Sequence, residues 1–400
     1  MLRSGFPPER FLFTLVFPMP TNPAKIAAEA IALHKKLKGK ITIQATTPIK
    51  NMKDLTRVYT PGVGAVSSAI AKNHKLADQL TWRRNTVAVV SDGSAVLGLG
   101  NIGPLAALPV MEGKSAIFKR FANINAVPIV LATQDVEEIV RTVQALEPSF
   151  GAIQLEDIAA PRCFEIEDRL TASLNIPVMH DDQHGTAVVV LAGLLNALKV
   201  VKKKIADVRI VITGAGAAGT AVAKLLKVAG AVDVIVTDRQ GAIWVGRPEL
   251  NGPKARLAKI TNPRKIRGDL SEVIRDADVV IGTSGPNVIS EDMVRSMARK
   301  AIVFALANPI PEIMPDLAKK AGAAVVATGR SDFPNQINNA SCYPGLFRGM
   351  LDRGVKQVTD KMKLRAAQAI ASAVKKPTAD NIVPTIFEKG LHERVARSVR

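Results

Sequence analysis

Short apolar runs rich in β-branched residues recur through the second half of the chain and predict buried strands. The first two runs extend from Val208 to Thr213 and from Val232 to Thr237. Three more follow at Val279 to Gly282, Ala301 to Phe304 and Ala324 to Ala327. Because each run is apolar on both faces, the pattern is typical of parallel strands covered by helices on both sides. We therefore predict a Rossmann-like, doubly wound parallel sheet from about Ile205 to Thr328.

The first half of the chain contains similar runs, which predict a separate N-terminal α/β domain. These runs extend from Thr86 to Ser91, from Phe150 to Leu155 and from Ile176 to Met179. A longer apolar run, Ala187 to Val201, contains Asn196 and is shorter than the roughly 20 residues of a membrane span, so it predicts a buried helix.

We expect the N-terminal catalytic domain at residues 21–185 and the nucleotide-binding domain, with C-terminal helices, at residues 186–400. Residues 1–20 are expected to form an extension without fixed structure. Their apolar run Phe11 to Phe17 is short, and no small-residue cleavage site follows it, so it is not typical of an export signal. The absence of such a signal favours a cytoplasmic protein.

The pattern G-x-G-x-x-G occurs twice, and its surroundings favour the second copy as a dinucleotide-binding loop. In that copy, Gly214-Ala215-Gly216-Ala217-Ala218-Gly219, a predicted strand comes before the glycines and a helix from Thr220 to Ala229 follows them. The glycines permit a tight turn and a close approach of the backbone to a pyrophosphate at the helix N-terminus. The first copy, Gly98 to Gly103, has no acid at the end of a later strand at the required distance and is more typical of a turn-rich loop.

The residues that would contact the cofactor ribose favour NAD over NADP. Asp238 ends the next predicted strand, and a carboxylate there accepts from the 2′-hydroxyl of NAD and repels the 2′-phosphate of NADP. Arg239, the next residue, weakens this preference, so NADP stays open.

Composition adds few constraints. The net charge of +19 suits anionic ligands, but the basic residues are spread along the chain and aromatic residues make up only 4%, so nucleic-acid binding is not favoured. The two cysteines, Cys163 and Cys342, offer neither a disulfide framework nor a zinc cluster and are compatible with a reducing compartment. No membrane partner is expected.

Two pairs of carboxylates stand just after predicted strands of the first domain. Glu156-Asp157 follows the strand that ends at Leu155, and Asp181-Asp182 comes soon after Met179. Carboxylates collected in this way repel one another unless a cation lies among them, so the pattern favours a hard divalent ion with oxygen ligands. Two solvated acidic pairs are the alternative. A metal beside a nicotinamide domain indicates hydride transfer on a chelating substrate such as a 2-hydroxy acid.

Several segments together resemble malic enzymes of the compact bacterial type. They are Tyr59 to Val63, Val87 to Lys119, Gln154 to Leu170, Ile176 to Ala187, the Gly214 motif and Phe333 to Gly349. The resemblance implies oxidative decarboxylation of malate to pyruvate and CO2 with NAD or NADP and with Mg²⁺ or Mn²⁺. It also suggests a homodimer.

Carried over by position, the resemblance assigns roles to individual residues. Glu156, Asp157 and Asp182 would be the metal ligands, and Asp181 would lie against the catalytic lysine. Lys114 would take the hydroxyl proton as the hydride leaves, and a neighbouring cation would help to lower its pKa.

The proton donor and the substrate ligands also follow from the resemblance. Tyr59 would protonate C3 of the enolate after CO2 departs. Asn308 and Asn339 would hydrogen-bond the substrate carboxylates, with Asn338 beside them, and Asn308 also belongs to the predicted cofactor site.

The chain departs from the larger malic enzymes at Ala95, where those enzymes carry an arginine that binds a malate carboxylate. The segment Ala340 to Tyr343 is also more polar than the resemblance predicts. Two alternative functions remain at this point: redox-neutral decarboxylation of malate to lactate with retained NAD, and nucleotide binding without catalysis.

Overall fold

The computed structural model describes residues 23–96 and 98–400. The predicted extension at residues 1–20 lies outside the described residues. The chain divides into two compact units, of which the first ends at Gly39 and the second begins at Lys40. In the first unit the structure describes one helix, α1 (Pro23–Leu37), and no side chain from Ala24 to Leu37 is buried.

A four-stranded parallel sheet forms the first part of the larger unit. Its strands are β1 (Thr86–Ser91), β2 (Asn125–Val130), β3 (Ala152–Leu155) and β4 (Val178–His180), in the order β2-β1-β3-β4. The associated helices are α2 (Met52–Val58), α3 (Gly62–Lys72), α4 (Ala77–Leu80), α5 (Pro104–Ala122), α6 (Val136–Leu146) and α7 (Arg162–Ser173). Leu155 pairs with His180, so the carboxyl ends of β3 and β4 lie side by side.

A six-stranded sheet follows. Its strands are β5 (Arg209–Thr213), β6 (Asp233–Asp238), β7 (Gly241–Ala242), β8 (Val279–Gly282), β9 (Ile302–Ala305) and β10 (Val325–Thr328). The order is β10-β9-β8-β5-β6-β7, and only the short edge strand β7 runs antiparallel. The helices between these strands are α9 (Ala217–Val228), α10 (Gly252–Ile260), α11 (Leu270–Val273), α12 (Glu291–Arg295) and α13 (Pro315–Lys320). The C-terminal helices are α14 (Tyr343–Arg353), α15 (Asp360–Ala371) and α16 (Leu391–Ser398).

Helix α8 (Asp181–Val201) connects the two sheets. It starts directly after β4, and its apolar body packs against α9 and α15 in the core of the six-stranded sheet. Among the described residues it is the one helix long and apolar enough to cross a membrane, yet most of it is buried inside the protein. This agrees with the buried helix that the sequence predicts, although the helix begins at Asp181 rather than at Ala187.

The predicted α/β class with a doubly wound nucleotide-binding sheet is confirmed. The bounds of the elements differ by a few residues. Helix α9 begins at Ala217 and not at Thr220, because Gly216 already has the extended backbone of an N-cap. The first glycine pattern forms a loop with positive φ at Gly98, Gly100 and Gly103, as predicted for turns.

Candidate active site

The predicted metal ligands meet at the carboxyl edge of the four-stranded sheet. Glu156 and Asp157 follow β3, and Asp182 lies in the first turn of α8. One carboxylate oxygen from each of the three lies within 4.8 Å of the others. The parallel pairing of β3 with β4 therefore brings together acids from two separate segments of sequence.

Burial and mutual repulsion raise the pKa of two of these acids, Asp157 and Glu156. Burial, followed by the nearby Asp182 carboxylate, raises the pKa of Asp157 to about 7. Burial also raises the pKa of Glu156 well above its usual range. Oδ2 of Asp157 is buried and has no hydrogen-bond partner among the described residues. An unpartnered oxygen within a convergent carboxylate set fits a hard divalent ion with oxygen ligands.

Asp182 differs from its neighbours because protein donors already hold it. Its Oδ2 accepts a hydrogen bond of 2.8 Å from the backbone N–H of Asp157 and lies 3.2 Å from Nε2 of His180. Although burial opposes its charge, these two contacts lower the pKa of Asp182. Asp182 is therefore the carboxylate that is most readily ionised in this set.

Lys114 lies on α5 and reaches the same cluster. Its Nζ is 2.6 Å from Oδ2 of Asp181 and 3.0 Å from Oε1 of Glu156. Burial opposes the charge on Lys114, but Asp181 and Glu156 outweigh this effect and raise its pKa well above the usual value. The pKa of Lys114 is thus shifted upwards by its carboxylate partners, whereas a general base at neutral pH requires a lowered pKa.

Sequence reasoning missed the other tyrosine of the chain, which lies beside Lys114. Tyr343, the first residue of α14, is fully buried, and Nζ of Lys114 lies 4.7 Å from its ring centroid. Phe118 on α5 packs edge-on against the same ring at a centroid distance of 4.8 Å. The unexpected polarity of the segment from Ala340 to Tyr343 was the only signal in the sequence.

A cavity of about 730 Å³ opens in front of these residues. Its lining includes Lys114, the three predicted metal ligands and residues of the glycine loop. The asparagines of the predicted substrate site also line it: Asn308, Asn338 and Asn339. Asp181 is fully buried behind Lys114 and does not line the cavity.

The glycine loop has the local geometry of a pyrophosphate site. Gly214 has a φ of 105°, and a Cβ at Gly219 would collide with the carbonyl oxygen of Gly214. A Cβ at Gly216 would meet only open space, and no side chain caps the N-terminus of α9 there. The free N–H groups of Ala217 and its neighbour Ala218, both on the cavity wall, could hold a pyrophosphate.

Asp238 has partners that sequence reasoning did not predict. Its carboxylate accepts hydrogen bonds from Nη1 and Nη2 of Arg247 at 2.9 and 2.5 Å, from Nζ of Lys254 at 2.6 Å and from the N–H of Gln240 at 3.0 Å. Burial opposes ionisation, yet these donors lower the pKa of Asp238 to about 2. Arg239 is exposed. The carboxylate that the sequence assigns to the ribose is therefore largely neutralised by Arg247 and Lys254.

Tyr59 is not brought to the cavity. It caps the C-terminus of α2, its side chain is 65% exposed, and it is absent from the residues described as lining the cavity. Ala95 does lie at the cavity, and its N–H donates to the carbonyl oxygen of Asp157 at 2.9 Å. Its small side chain leaves the position of the expected arginine without a cation.

Comparison with known families supports the same interpretation of the chain. Residues 38–171 match the model of the malic enzyme N-terminal domain, and residues 183–399 match the model of the malic enzyme NAD-binding domain. The chain belongs to the malic enzyme family. It is accordingly an oxidoreductase whose family decarboxylates malate with NAD or NADP.

Two malic enzymes are similar to this chain over most of their own length. The NAD-dependent malic enzyme of Geobacillus stearothermophilus is 55% identical over 90% of this chain and 76% of its own. The bifunctional malic/malolactic enzyme of Bacillus subtilis is 51% identical over 93% of this chain and 91% of its own. Other relatives are named NADP-dependent malic enzymes.

A solved structure extends the comparison to three dimensions. The NAD-dependent malic enzyme of Thermotoga maritima is 48% identical, with a TM-score of 0.90 over 92% of this chain and 98% of its own.

Proposed function

We propose that the protein oxidises malate to pyruvate and CO2 with NAD as the first cofactor, NADP as the second, and Mg²⁺ or Mn²⁺ held by Glu156, Asp157 and Asp182. The observation that carries the proposal is the convergence of these three carboxylates on the cavity that also contains Lys114 and the glycine loop. When bound, the ion would supply positive charge beside the C2 oxygen of malate, and the nicotinamide would accept the hydride.

Lys114 is the proposed general base. Its Nζ lies within 3.0 Å of Asp181 and Glu156, where the neutral amine can take the proton of the C2 hydroxyl and the resulting ammonium group is paired by a carboxylate. The pKa of Lys114 is high while these carboxylates are free to pair with it. A cation that engages Glu156 removes part of that field, so the lysine can lose its proton nearer neutral pH.

Malate would be held by Asn308, Asn338 and Asn339, which line the same cavity. Oδ1 of Asn338 accepts from the N–H of Ala340, which fixes the amide and leaves its N–H2 group available for a carboxylate. Asn308 stands near both substrate and cofactor positions, because it follows β9 in the nucleotide-binding sheet.

Tyr59 remains the proposed acid that protonates C3, supplied by a second copy of the chain. Helices α2 and α3 have no buried residues, and most of their larger apolar side chains are exposed. The exposed set comprises Met52, Val58, Val63 and Val66. An apolar surface of this kind on a soluble chain is typical of an interface between subunits. A homodimer would cover this surface. It would also allow a side chain of the partner subunit to bind the malate carboxylate that Ala95 cannot bind.

An assay of malate oxidation tests the proposed function. Absorbance at 340 nm should rise with malate, NAD and Mn²⁺, more slowly with NADP, and not at all after removal of divalent ions. Protein that binds NAD but oxidises no malate with Mg²⁺ or Mn²⁺ would refute the proposal and favour a nucleotide-binding protein without catalysis. Sedimentation of the purified chain tests the dimer; a monomer at micromolar concentration would contradict the shared site.

A malolactic reaction is the second candidate. It is favoured by the 51% identity to the bifunctional malic/malolactic enzyme of Bacillus subtilis. In this reaction NAD stays bound and lactate is released, so malate would disappear without a rise at 340 nm. Chromatography of the products separates lactate from pyruvate and decides between the two reactions.

We also propose the cytoplasm as the compartment, because both cysteines, Cys163 and Cys342, are buried and free. The domain boundary proposed between residues 185 and 186 lies within α8, between the first turn with its acids and the apolar body of the helix. Expression of residues 186–400 alone would test whether that part folds.

A further inference from the structure

A second cavity, of about 800 Å³, lies apart from the candidate active site and shares none of its described lining residues. We refer to it as the basic pocket, because Lys75, Arg84, Arg353 and Lys356 line it. It is bounded by the turn after α3, by the loops that precede β1, β3 and β4, and by the end of α14.

The cations of the basic pocket carry charge that no carboxylate neutralises within the described part of the chain. Arg84 donates to the carbonyl oxygen of Asp352 at 2.9 Å, and Arg353 donates to that of Ala396 at 3.0 Å. These backbone acceptors orient the guanidinium groups but leave their charge in place. The acid on the wall, Asp78, is already paired with Arg83.

The side chains of Lys75 and Lys356 make no hydrogen bond or ion pair with any described residue, so they remain available to a ligand. Several unpaired cations around one concave surface attract anions strongly. Guanidinium groups add the planar geometry that matches carboxylates and phosphates.

The floor of the basic pocket is apolar. Met350 and Leu351 on α14 and Ile176 before β4 are buried there, and Ile70 and Val355 are half-buried at its margin. The volume lies within the range of small-molecule sites, roughly 300–1,000 Å³. Cations at the rim and an apolar floor together fit an organic anion rather than a bare inorganic ion.

The basic pocket lies at the opposite ends of the elements that build the active site. Pro177 directly precedes β4, which leads to Asp182, and Gly151 directly precedes β3, which leads to Glu156. Helix α14 has Met350 in the pocket and Tyr343 against Lys114.

The chain is tightly packed where it enters β3. A Cβ added at Gly151 would lie 2.9 Å from Cδ2 of Leu351 and 2.9 Å from the carbonyl oxygen of Arg83. Close-packed elements transmit displacement rather than absorb it.

We propose that the basic pocket binds a small organic anion with two or more negative charges, and that its occupancy changes turnover at the active site. The binding part stands by itself, whereas the regulatory part rests on the proposed function. The expected ligand is a multiply charged anion with an apolar body. Polycarboxylates and phosphate esters are the two kinds of compound with this chemistry.

Calorimetry on the full chain, free of metal and cofactor, tests the binding part. Two probes are titrated: tricarballylate as the polycarboxylate and phenyl phosphate as the phosphate ester. We expect saturable binding of at least one, and the tighter probe identifies the kind of compound. The double variant Lys75→Gln/Lys356→Gln should bind that probe at least tenfold more weakly. Neither lysine side chain holds another part of the protein, so the variant is expected to fold.

The matched control is Lys204→Gln/Lys361→Gln, which removes two exposed charges outside the basic pocket. It should bind the probe within twofold of the unchanged protein. The absence of saturable binding, or equal weakening in both double variants, would overturn the proposal. Because these titrations need no turnover, they stand even if malate oxidation fails.

Kinetics at saturating malate test the regulatory part. With Mn²⁺ in excess over the probe, we expect kcat to change at least twofold in the unchanged protein and in the control variant. The change should be lost in Lys75→Gln/Lys356→Gln. A probe effect that saturating malate abolishes would show competition at the active site and refute this part.

Discussion

The ammonium group of Lys114 lies 4.7 Å from the centre of the Tyr343 ring, so the lysine rests on an aromatic face while its Nζ pairs with Asp181. A desolvated cation–π contact is worth about 2 kcal/mol. If the contact serves to hold Lys114 in its reactive position, its loss would slow turnover by about 30-fold.

Replacement of Tyr343 tests this orientation. Tyr343→Leu removes the ring face and should lower kcat about 30-fold, with little change in the KM for malate. Tyr343→Phe keeps the face and should retain kcat within about threefold. Steady-state kinetics and thermal melting of both variants provide the measurement. Equal losses in the two variants would show that the face does not position Lys114.

Removal of Lys114 tests its role as the base. Lys114→Met should lower malate oxidation by about 10²–10⁴-fold, the usual contribution of a general base. NAD binding, measured by fluorescence titration, should be unchanged, because the proposed cofactor contacts come from the glycine loop and not from Lys114. Lys119→Met removes an exposed lysine from the same helix and serves as the control. Turnover that survives in Lys114→Met would assign the base elsewhere.

The affinity for Mn²⁺ should depend on pH because burial and the Asp182 carboxylate raise the pKa of Asp157, a proposed ligand. Its pKa is about 7, and the ion needs the carboxylate form. Below that pH the ion must displace one proton, so affinity should fall about tenfold per pH unit. Above it, Asp157 no longer contributes to the slope, and any further rise comes from Glu156, whose pKa burial also raises.

Calorimetric titration of Mn²⁺ from pH 5.5 to 8.5 measures this dependence. Asp157→Asn should bind the ion more weakly and lose most of the slope. Asp168→Asn, an exposed change on α7, should behave like the unchanged protein. A flat profile in the unchanged protein would exclude Asp157 as the titrating ligand. Asp182→Asn should also weaken Mn²⁺ binding strongly, and unchanged affinity would exclude Asp182 as a ligand.

The preference for NAD or NADP should change in opposite directions when Asp238 and its partner Lys254 are replaced. Asp238→Ala leaves Arg247 and Lys254 without their carboxylate, so the ratio of kcat/KM for NADP to that for NAD should rise about tenfold. Lys254→Gln removes one of the neutralising charges and should lower the ratio. Lys259→Gln, on the same helix α10 and exposed, is the control. An unchanged ratio in both variants would move the choice of cofactor to Arg239 or another residue.

Sequence alone was sufficient to predict the nucleotide-binding sheet because its strands are apolar on both faces and alternate with helices. The clustering of Glu156, Asp157, Asp181 and Asp182 could be predicted because both pairs follow strands, and parallel strands end at one edge. The choice of three of them as ligands came from the family resemblance. The starts of α8 and α9 were predicted too late in the sequence, because their first turns contain acids and small residues instead of the apolar pattern that marks a helix.

The contacts that depend on packing could not be predicted. Tyr343 meets Lys114 only because α14 packs against α5, and no local pattern encodes that pairing. In the same way, Arg247 and Lys254 reach Asp238 from loops and helices after β6, so the sequence suggested only its neighbour Arg239. Tyr59 is assigned by resemblance, and a single chain leaves it at the surface.

Helix α8 has its first turn among the acids of one sheet and its body in the core of the other. Asp182 is therefore tied to both sheets: its carboxylate accepts from the N–H of Asp157 after β3, whereas its helix continues into the core of the nucleotide-binding sheet. A substitution in the apolar body of α8 that shifts the helix would displace Asp181 and Asp182 together. It would thus disturb the contact with Lys114 and the carboxylate set at the same time, far from either.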